Sequence, residues 1–420
     1  MPNLYHQTAD PAVAIAPLRG DAHCEVAVVG GGFTGLSTAL HLAERGARVT
    51  LLEAQEVGFG ASGRNGGQVN PGLKATPDRV ERDFGAAMGA RMNAFAGAAP
   101  EFVFQLIARH AISCDARRNG TLRAAITERQ AEQLRDLGMQ WLRREAPVAI
   151  LERAAVARAT GTARYTAALL DRRGGDLNPL SFARGLARAA LGAGATLHGQ
   201  SRVLALSKSA AGWVLHSAEG CLHAQQVVLA TNGYTDSLWP GLEQSVVPVF
   251  GAIAATEPLP DEVARDILPE RSVLYETGAI TVYYRIDTQN RLLFGGRGPM
   301  REVLDPKEIA PLLGYARTLW PALQERRWTH AWGGQLAMTT DHYPHLHEPE
   351  AGVLICLGYN GRGVALSTAL GAELAHRIAQ PAYSPCLPLS PLKSIPLHGF
   401  WRTGVRLAIA RARALEPFGF

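Results

Sequence analysis

The chain has 420 residues, 47% of them hydrophobic and 19% charged, with a formal net charge of +5. That length supports a large core and more than one domain, and the composition is that of an ordinary globular protein rather than a disordered or fibrous one. Five scattered cysteines form no C-x-x-C, which argues against a redox dithiol or a zinc ribbon and fits a reducing compartment. Positive charge suits acidic substrates or anionic surfaces, but no nucleic-acid motif accompanies it. The first 23 residues, with Pro2, Pro11 and Pro17, read as an extended arm without a signal-peptide pattern. No apolar run reaches about 18 residues, so no membrane span is expected.

Residues 25–29 form a short apolar run, as in a strand buried in a parallel sheet. Gly30, Gly32 and Gly35 follow as G-x-G-x-x-G. The first permits a tight turn, the second lets a pyrophosphate approach, and the third lets the next helix pack on the strand. Leu36, Ala39, Leu40 and Ala43 recur at helical spacing until Gly46 stops the helix. A second strand at 48–52 ends at Glu53, placed to accept from a ribose hydroxyl. The glycine-dense stretch 58–72 then reads as a loop whose backbone lies against a large flat ligand, with Arg64 and Asn65 available to phosphate or ring carbonyls.

The segments VVGGGFTGLSTALHLAERG and LLEAQEVGFGASGRNGGQ resemble the D-amino-acid-oxidase-like superfamily of FAD-dependent oxidoreductases. The branch that contains gamma-glutamylputrescine oxidoreductase is the most similar. The resemblance implies FAD, with Phe33, Thr34 and Ala54 beside the glycine turn and Glu53. It also implies Gly60, Ala61, Ser62, Arg64, Asn65, Gly66, Gly67 and Gln68 near the flavin, and Val203 among the cofactor residues.

Residues 77–145 read as helices with a short strand between them. Asn178 fits an N-cap and Pro179 the first position of a helix. Strands follow, with a hairpin about Ala211 and Gly212, and a buried strand at 227–230 runs into Thr231 and Asn232. In the resembling family such a turn returns the chain to FAD. Strands at 246–256, 272–276, 280–286 and 291–294 suggest a separate antiparallel sheet, the expected substrate domain. A helix at 306–319, a strand at 328–336 and a strand at 353–357 precede a second glycine turn, GYNGRG. Relatives often carry Gly-Tyr-x-Gly-x-Gly there. Gly361, Arg362, Gly363 and Val364 would then open a helix whose positive end stabilises reduced flavin.

The expected architecture is α/β: a Rossmann-like FAD-binding domain of the glutathione-reductase type and a second α+β substrate domain on a mainly antiparallel sheet. The expected boundaries are 1–75, 150–235 and 330–380 for FAD, 76–149 and 236–329 for substrate, and 381–420 for a tail. The tail ends in a helix mixing arginines with apolar residues, open to a membrane-surface reading or to packing on the body.

Tyr283 and Arg285 share a face by strand alternation and form a candidate carboxylate clamp, with Arg297 as a rival. Trp332 is a candidate to lie over flavin or substrate, or to be core. Some relatives attach FAD to a cysteine in this strand, and residues 334–338 here contain none, so the resemblance implies a non-covalent flavin. His342, His345 and His347 lack supporting carboxylate spacing, so no metal is expected.

The expected reaction is oxidation of a C–N bond in a small amine or amino acid. Hydride passes to flavin N5, and the resulting imine hydrolyses. A gamma-glutamylputrescine-like substrate leads, with a cyclic secondary amino acid such as L-pipecolate or L-proline as the alternative. Without a second dinucleotide motif, electrons are expected to leave to O2 or a respiratory-chain acceptor. The expected location is cytoplasmic, with the inner membrane face as the variant the tail suggests. A flavin hydroxylase and a non-catalytic flavin-binding subunit are the competing classes.

Overall fold

The computed structural model describes residues 3–278 and 281–415, so Ile280, the first residue of an expected strand, and Ala279 before it lie outside the described residues. Two large sheets carry the fold, with a two-stranded ribbon between elements of each.

The first sheet is built on parallel strands Gly20–Val29, Val49–Leu52, Thr196–His198, Gly220–Leu229 and Val353–Leu357. Val49–Leu52 and Val353–Leu357 are buried throughout, because helices cover one face of the sheet and side chains such as Trp213, Leu215 and Leu242 cover the other. Val28 stands between Leu51 and Val228 in register. An antiparallel strand, His345–Glu350, closes one edge, and the hairpin Ala205–Ser209 with Gly212–His216 pairs onto Gly220–Leu229. Helices Phe33–Ala43, Pro179–Gly192 and Gly363–Ala379 pack together on this sheet's core. The Asn178 side chain caps the second of these by accepting from Ser181 N–H, with Pro179 at its first position.

The second sheet has eight strands, antiparallel except where Val273–Glu276 runs parallel to Thr121–Ala125. Tyr165, Tyr284, Phe294 and Trp320 fill the core behind it. Together the halves give the expected α/β fold with a Rossmann-like half and an α+β half.

Some assignments differ from the sequence expectations. Strand Ala167–Asp171, expected within the dinucleotide half, pairs with Thr121–Ala125 in the second sheet, and Val148–Glu152, expected in that half from residue 150, pairs in turn with Ala167–Asp171. Trp328–Met338, also assigned to that half from residue 330, pairs along its length with Val247–Thr256 of the second sheet. Strand membership is decided by partners far off in the chain, which local pattern does not reveal. The amino-terminal arm is not wholly extended: Leu4–Thr8 is a short helix, and Leu4 and Tyr5 are buried against Leu180, Ile253 and Trp332. The first strand also starts earlier than expected, at Gly20. No described helix is long and apolar enough to cross a membrane.

Candidate functional site

The carboxyl ends of the parallel strands converge on one cavity of about 760 Å³, where open parallel sheets bind ligands. Val29, Leu52 and Ala230, each at or just past a strand end, line it together with Gly30, Glu53 and Thr231. The cavity continues between the sheets and is closed on the other side by residues of the second sheet, including Phe250, Tyr275, Tyr283 and Arg297.

Gly30, Gly32, Phe33 and Thr34 present the start of helix Phe33–Ala43 to the cavity. Its first N–H groups and positive dipole end therefore face the space, a natural seat for an anionic group. Gly35 lies behind the wall: a Cβ there would stand 2.0 Å from the Gly30 carbonyl oxygen, so only glycine lets helix and strand meet. Glu53 accepts from Gly31 N–H (2.6 Å) and Gln55 N–H (2.9 Å). Burial nonetheless pushes its carboxyl above the ordinary carboxylate range. Ala54 and Val203 line the same end.

The glycine-rich loop is held by its own side chains. Ser62 Oγ accepts from Phe33 N–H (3.0 Å) and joins loop to helix start. Asn65 donates to the Ala61 and Ser62 carbonyls and accepts from Gly67 N–H (2.8 Å). Gln68 donates to the Leu274 carbonyl (2.9 Å) in the second sheet. Gly60, Ala61, Ser62, Arg64, Asn65, Gly66 and Gln68 all line the cavity. Gly67 does not: its φ is +72°, and a Cβ would lie 2.2 Å from the Leu177 carbonyl oxygen. Arg64 is ion-paired with Glu302 and stacks on Phe59.

The second glycine turn closes the space from the other side. Asn232, in the left-handed region at φ 44°, accepts from Gly358 N–H (3.0 Å) and ties the two turns together. Tyr359 Oη and Thr34 Oγ1 share a hydrogen bond of 2.6 Å between the two glycine motifs. Gly361, Arg362, Gly363 and Val364 line the cavity at the start of helix Gly363–Ala379. Arg362 donates to the Pro71 carbonyl (2.6 Å) and to Tyr275 Oη (2.8 Å).

Two expected substrate contacts are corrected by the geometry. Arg285 shares the Tyr283 face as alternation required, but its guanidinium lies behind the loop and only 4% of the residue is exposed. It donates to Asp176 (3.0 Å) and to the Gly66 carbonyl (2.7 Å), so it braces the loop and does not line the cavity as a clamp. Trp332 is core: it meets Tyr5 edge-on at 5.2 Å and donates to the Arg64 carbonyl (3.0 Å). Tyr283 and Arg297 do face the cavity.

Sequence reasoning passed over Arg123 and Lys74, both of which line the cavity. The available signal was a lone arginine inside the apolar strand Thr121–Ala125. Burial lowers the Arg123 pKa. Lys74 reaches solvent at the mouth, yet the surrounding walls, then Arg362 and Arg123, draw its ammonium below the usual lysine value. Away from the cavity, His345 pairs with Asp341 (3.0 Å) and His347 bonds to the Ser390 carbonyl (2.8 Å). Among the described residues no three His, Cys, Asp or Glu side chains gather as metal ligands.

The donor set suits an FAD: two helix starts, a glycine cradle without room for Cβ atoms, and a half-buried acid after the second strand. Comparison with known proteins agrees. Residues 25–377 match the DAO family, described as FAD dependent oxidoreductase. Gamma-glutamylputrescine oxidoreductase of Escherichia coli (strain K12) is 32% identical over 374 residues, covering 88% of this chain and 87% of that protein. Glycine oxidase of Geobacillus kaustophilus (strain HTA426) is 27% identical, over 84% of this chain and 92% of its own. The structure of L-proline dehydrogenase from P. horikoshii shares the fold, with a TM-score of 0.71 at 18% identity over 88% of this chain and 96% of that one. The chain belongs to the DAO family of FAD-dependent oxidoreductases.

Proposed function

We propose that this protein oxidises a C–N bond of a small amine or amino acid, with a gamma-glutamylputrescine-like molecule as the leading substrate. The observation that carries the reading is the single cavity shared by the dinucleotide turn and the second sheet. It has room for a cofactor and a small molecule side by side. FAD, when bound, would supply the acceptor for the hydride that leaves the amine's α-carbon. The chain's part is to orient the amine, keep water out and hold charge. Tyr283 and Phe250 give an apolar wall on the substrate side, and Arg297 a cation. Gly30, Gly32, Thr34, Glu53, Ser62, Asn65, Gly361 and Gly363 are proposed to hold the cofactor. No described cysteine lines the cavity, which supports a non-covalent FAD. Acid precipitation should then release all the flavin.

The test is anaerobic bleaching of the flavin absorbance by gamma-glutamylputrescine, putrescine, L-pipecolate, L-proline, sarcosine, D-amino acids and NADPH. Fast bleaching by one amine supports the reading and names the substrate class, and L-proline or L-pipecolate would select the cyclic alternative. Bleaching by NADPH alone, or by none, sinks it. Re-oxidation by air then separates O2 from a respiratory-chain acceptor.

Peripheral membrane contact is proposed for the terminal helix Trp401–Leu415, with the inner membrane face as its place in the cell. Leu397, Phe400 and Leu407 are 80%, 70% and 66% exposed, beside exposed Arg402, Arg406 and Arg411. That mixture suits an anionic lipid surface. Co-sedimentation with phosphatidylglycerol vesicles, lost in a chain ending at residue 396, is the expected result. Equal sedimentation of both chains would remove the proposal.

A further inference from the structure

We propose that Tyr5, carried by the amino-terminal arm, is a positioning residue for the bound flavin: its hydroxyl fixes a peptide of the glycine-rich loop so that two adjacent N–H groups face the cavity as donors for negative charge on the reduced cofactor. The inference needs FAD in the cavity and is independent of which amine reacts.

Four consecutive loop carbonyls are gripped from behind by donors remote in the chain. Trp332 Nε1 donates to the Arg64 carbonyl (3.0 Å), Tyr5 Oη to that of Asn65 (2.9 Å), Arg285 Nε to that of Gly66 (2.7 Å) and the Leu177 N–H to that of Gly67 (2.9 Å). A trans peptide is planar, with its N–H opposite its C=O. Anchoring the Arg64 and Asn65 carbonyls therefore turns the N–H groups of Asn65 and Gly66 the other way. Both residues line the cavity, and among the described residues neither N–H has an acceptor. The next N–H, that of Gly67, is already taken by Asn65 Oδ1 (2.8 Å). Two free donors side by side on a buried frame are placed to stabilise charge that develops in the cavity, and they need no reorganisation to do so.

Tyr5 belongs to the short helix Leu4–Thr8, which ties the loop to both halves of the molecule. His6 Nε2 meets Glu56 (2.9 Å) and Asn178 Nδ2 donates to Thr8 Oγ1 (3.2 Å), both in the dinucleotide half. On the other side His330 Nε2 meets Gln7 Oε1 (3.2 Å), and the Tyr5 ring meets Trp332 edge-on. Tyr5 is only 1% exposed. Burial raises its pKa and keeps the phenol protonated as a donor. Without the hydroxyl the Asn65 carbonyl loses its donor in an apolar setting of Leu4, Ile253 and Trp332, and the peptide is free to turn.

The test uses the FAD-loaded protein and sulfite, which adds to oxidised flavin to give an anionic adduct, together with a titration of the midpoint potential. Tyr5→Phe keeps the ring and its contact with Trp332 but releases the Asn65 carbonyl. Its sulfite Kd should rise about threefold to tenfold, the worth of one hydrogen bond, and its midpoint potential should become more negative. His6→Ala cuts the arm's tie to Glu56 and leaves the hydroxyl in place, so its sulfite Kd and potential should match those of the native chain. A Tyr5→Phe chain that melts lower without FAD but keeps the native sulfite Kd and potential would make Tyr5 merely structural and overturn the proposal. Equal shifts in both variants would also overturn it, by assigning the effect to docking of the arm in general. Sulfite requires no amine, so these outcomes are read whichever substrate bleaches the flavin, and even if none does.

Discussion

At the scale of single residues, Asp176 links parts that the sequence keeps far apart. Its carboxylate is fully buried and accepts from Arg117 (2.6 and 3.0 Å) and Arg285 (3.0 Å). Removing one partner of such a group leaves the others charged and unpaired, which costs about 3–5 kcal/mol. Asp176→Asn should lower Tm accordingly and loosen FAD, because Arg285 also braces the Gly66 carbonyl. An unchanged Tm would mean that the pair contributes little. Asp341 gives a pH signature. Hydrogen bonds from His345 and the Tyr343 N–H outweigh burial and hold its carboxyl down at about 2. A carboxyl depressed in the fold stabilises above its unfolded value of about 4 and loses that contribution as pH falls toward the folded value. The Tm gap between the native chain and Asp341→Asn should therefore be full above pH of about 4 and close toward pH of about 2. A gap that is constant with pH would contradict this origin.

At the scale of elements, helices Phe33–Ala43 and Gly363–Ala379 form the unit that aims both glycine turns at the cavity. They touch through small groups: Ser37 Oγ donates to the Thr368 carbonyl (2.7 Å) and Thr38 Oγ1 to the Gly371 carbonyl (3.0 Å). A Cβ on Gly371 would stand 2.5 Å from the Thr34 carbonyl oxygen, so Gly371→Ala must spread the pair. Overpacking of this kind costs about 1–3 kcal/mol. FAD affinity should fall with Tm, and a fall in Tm alone would show that the turns keep their aim. The glycine turns themselves were legible in the sequence, because a tight turn followed by close helix packing admits few residue types. The role of Arg285 was not. Alternation gives the face of a side chain but not its partner, and Asp176 lies 109 positions away. Trp332 was equally ambiguous, since the Tyr5 ring it meets belongs to an arm with no helical pattern of its own. The membership of Val148–Glu152 and Ala167–Asp171 in the second sheet was hidden for the same reason.

At the scale of the whole molecule, the cavity is a seam. One wall is the carboxyl edge of the parallel sheet, the other is the second sheet, and Trp328–Met338 belongs to the second while leading back to the first through Asp341. The glycine-rich loop lies in the seam and is bonded to both sides, through Ser62 to helix Phe33–Ala43 and through Gln68 to the Leu274 carbonyl. A ligand filling this space touches both halves only when they are folded and docked. Binding to the folded state alone adds stability as the logarithm of free ligand over Kd, about 2.7 kcal/mol at a hundredfold excess. The FAD-free protein should therefore melt lower, and Tm should climb steadily with added FAD. Asp176→Asn should shrink the gain in Tm at each FAD concentration, because it weakens the brace behind the loop and so raises Kd. The measurement is a melting series against FAD concentration for both chains. A Tm indifferent to FAD in the native chain would show that the seam does not hold the nucleotide. An equal gain over each chain's own FAD-free Tm, at every FAD concentration, would show that Asp176 supports the fold without supporting the loop.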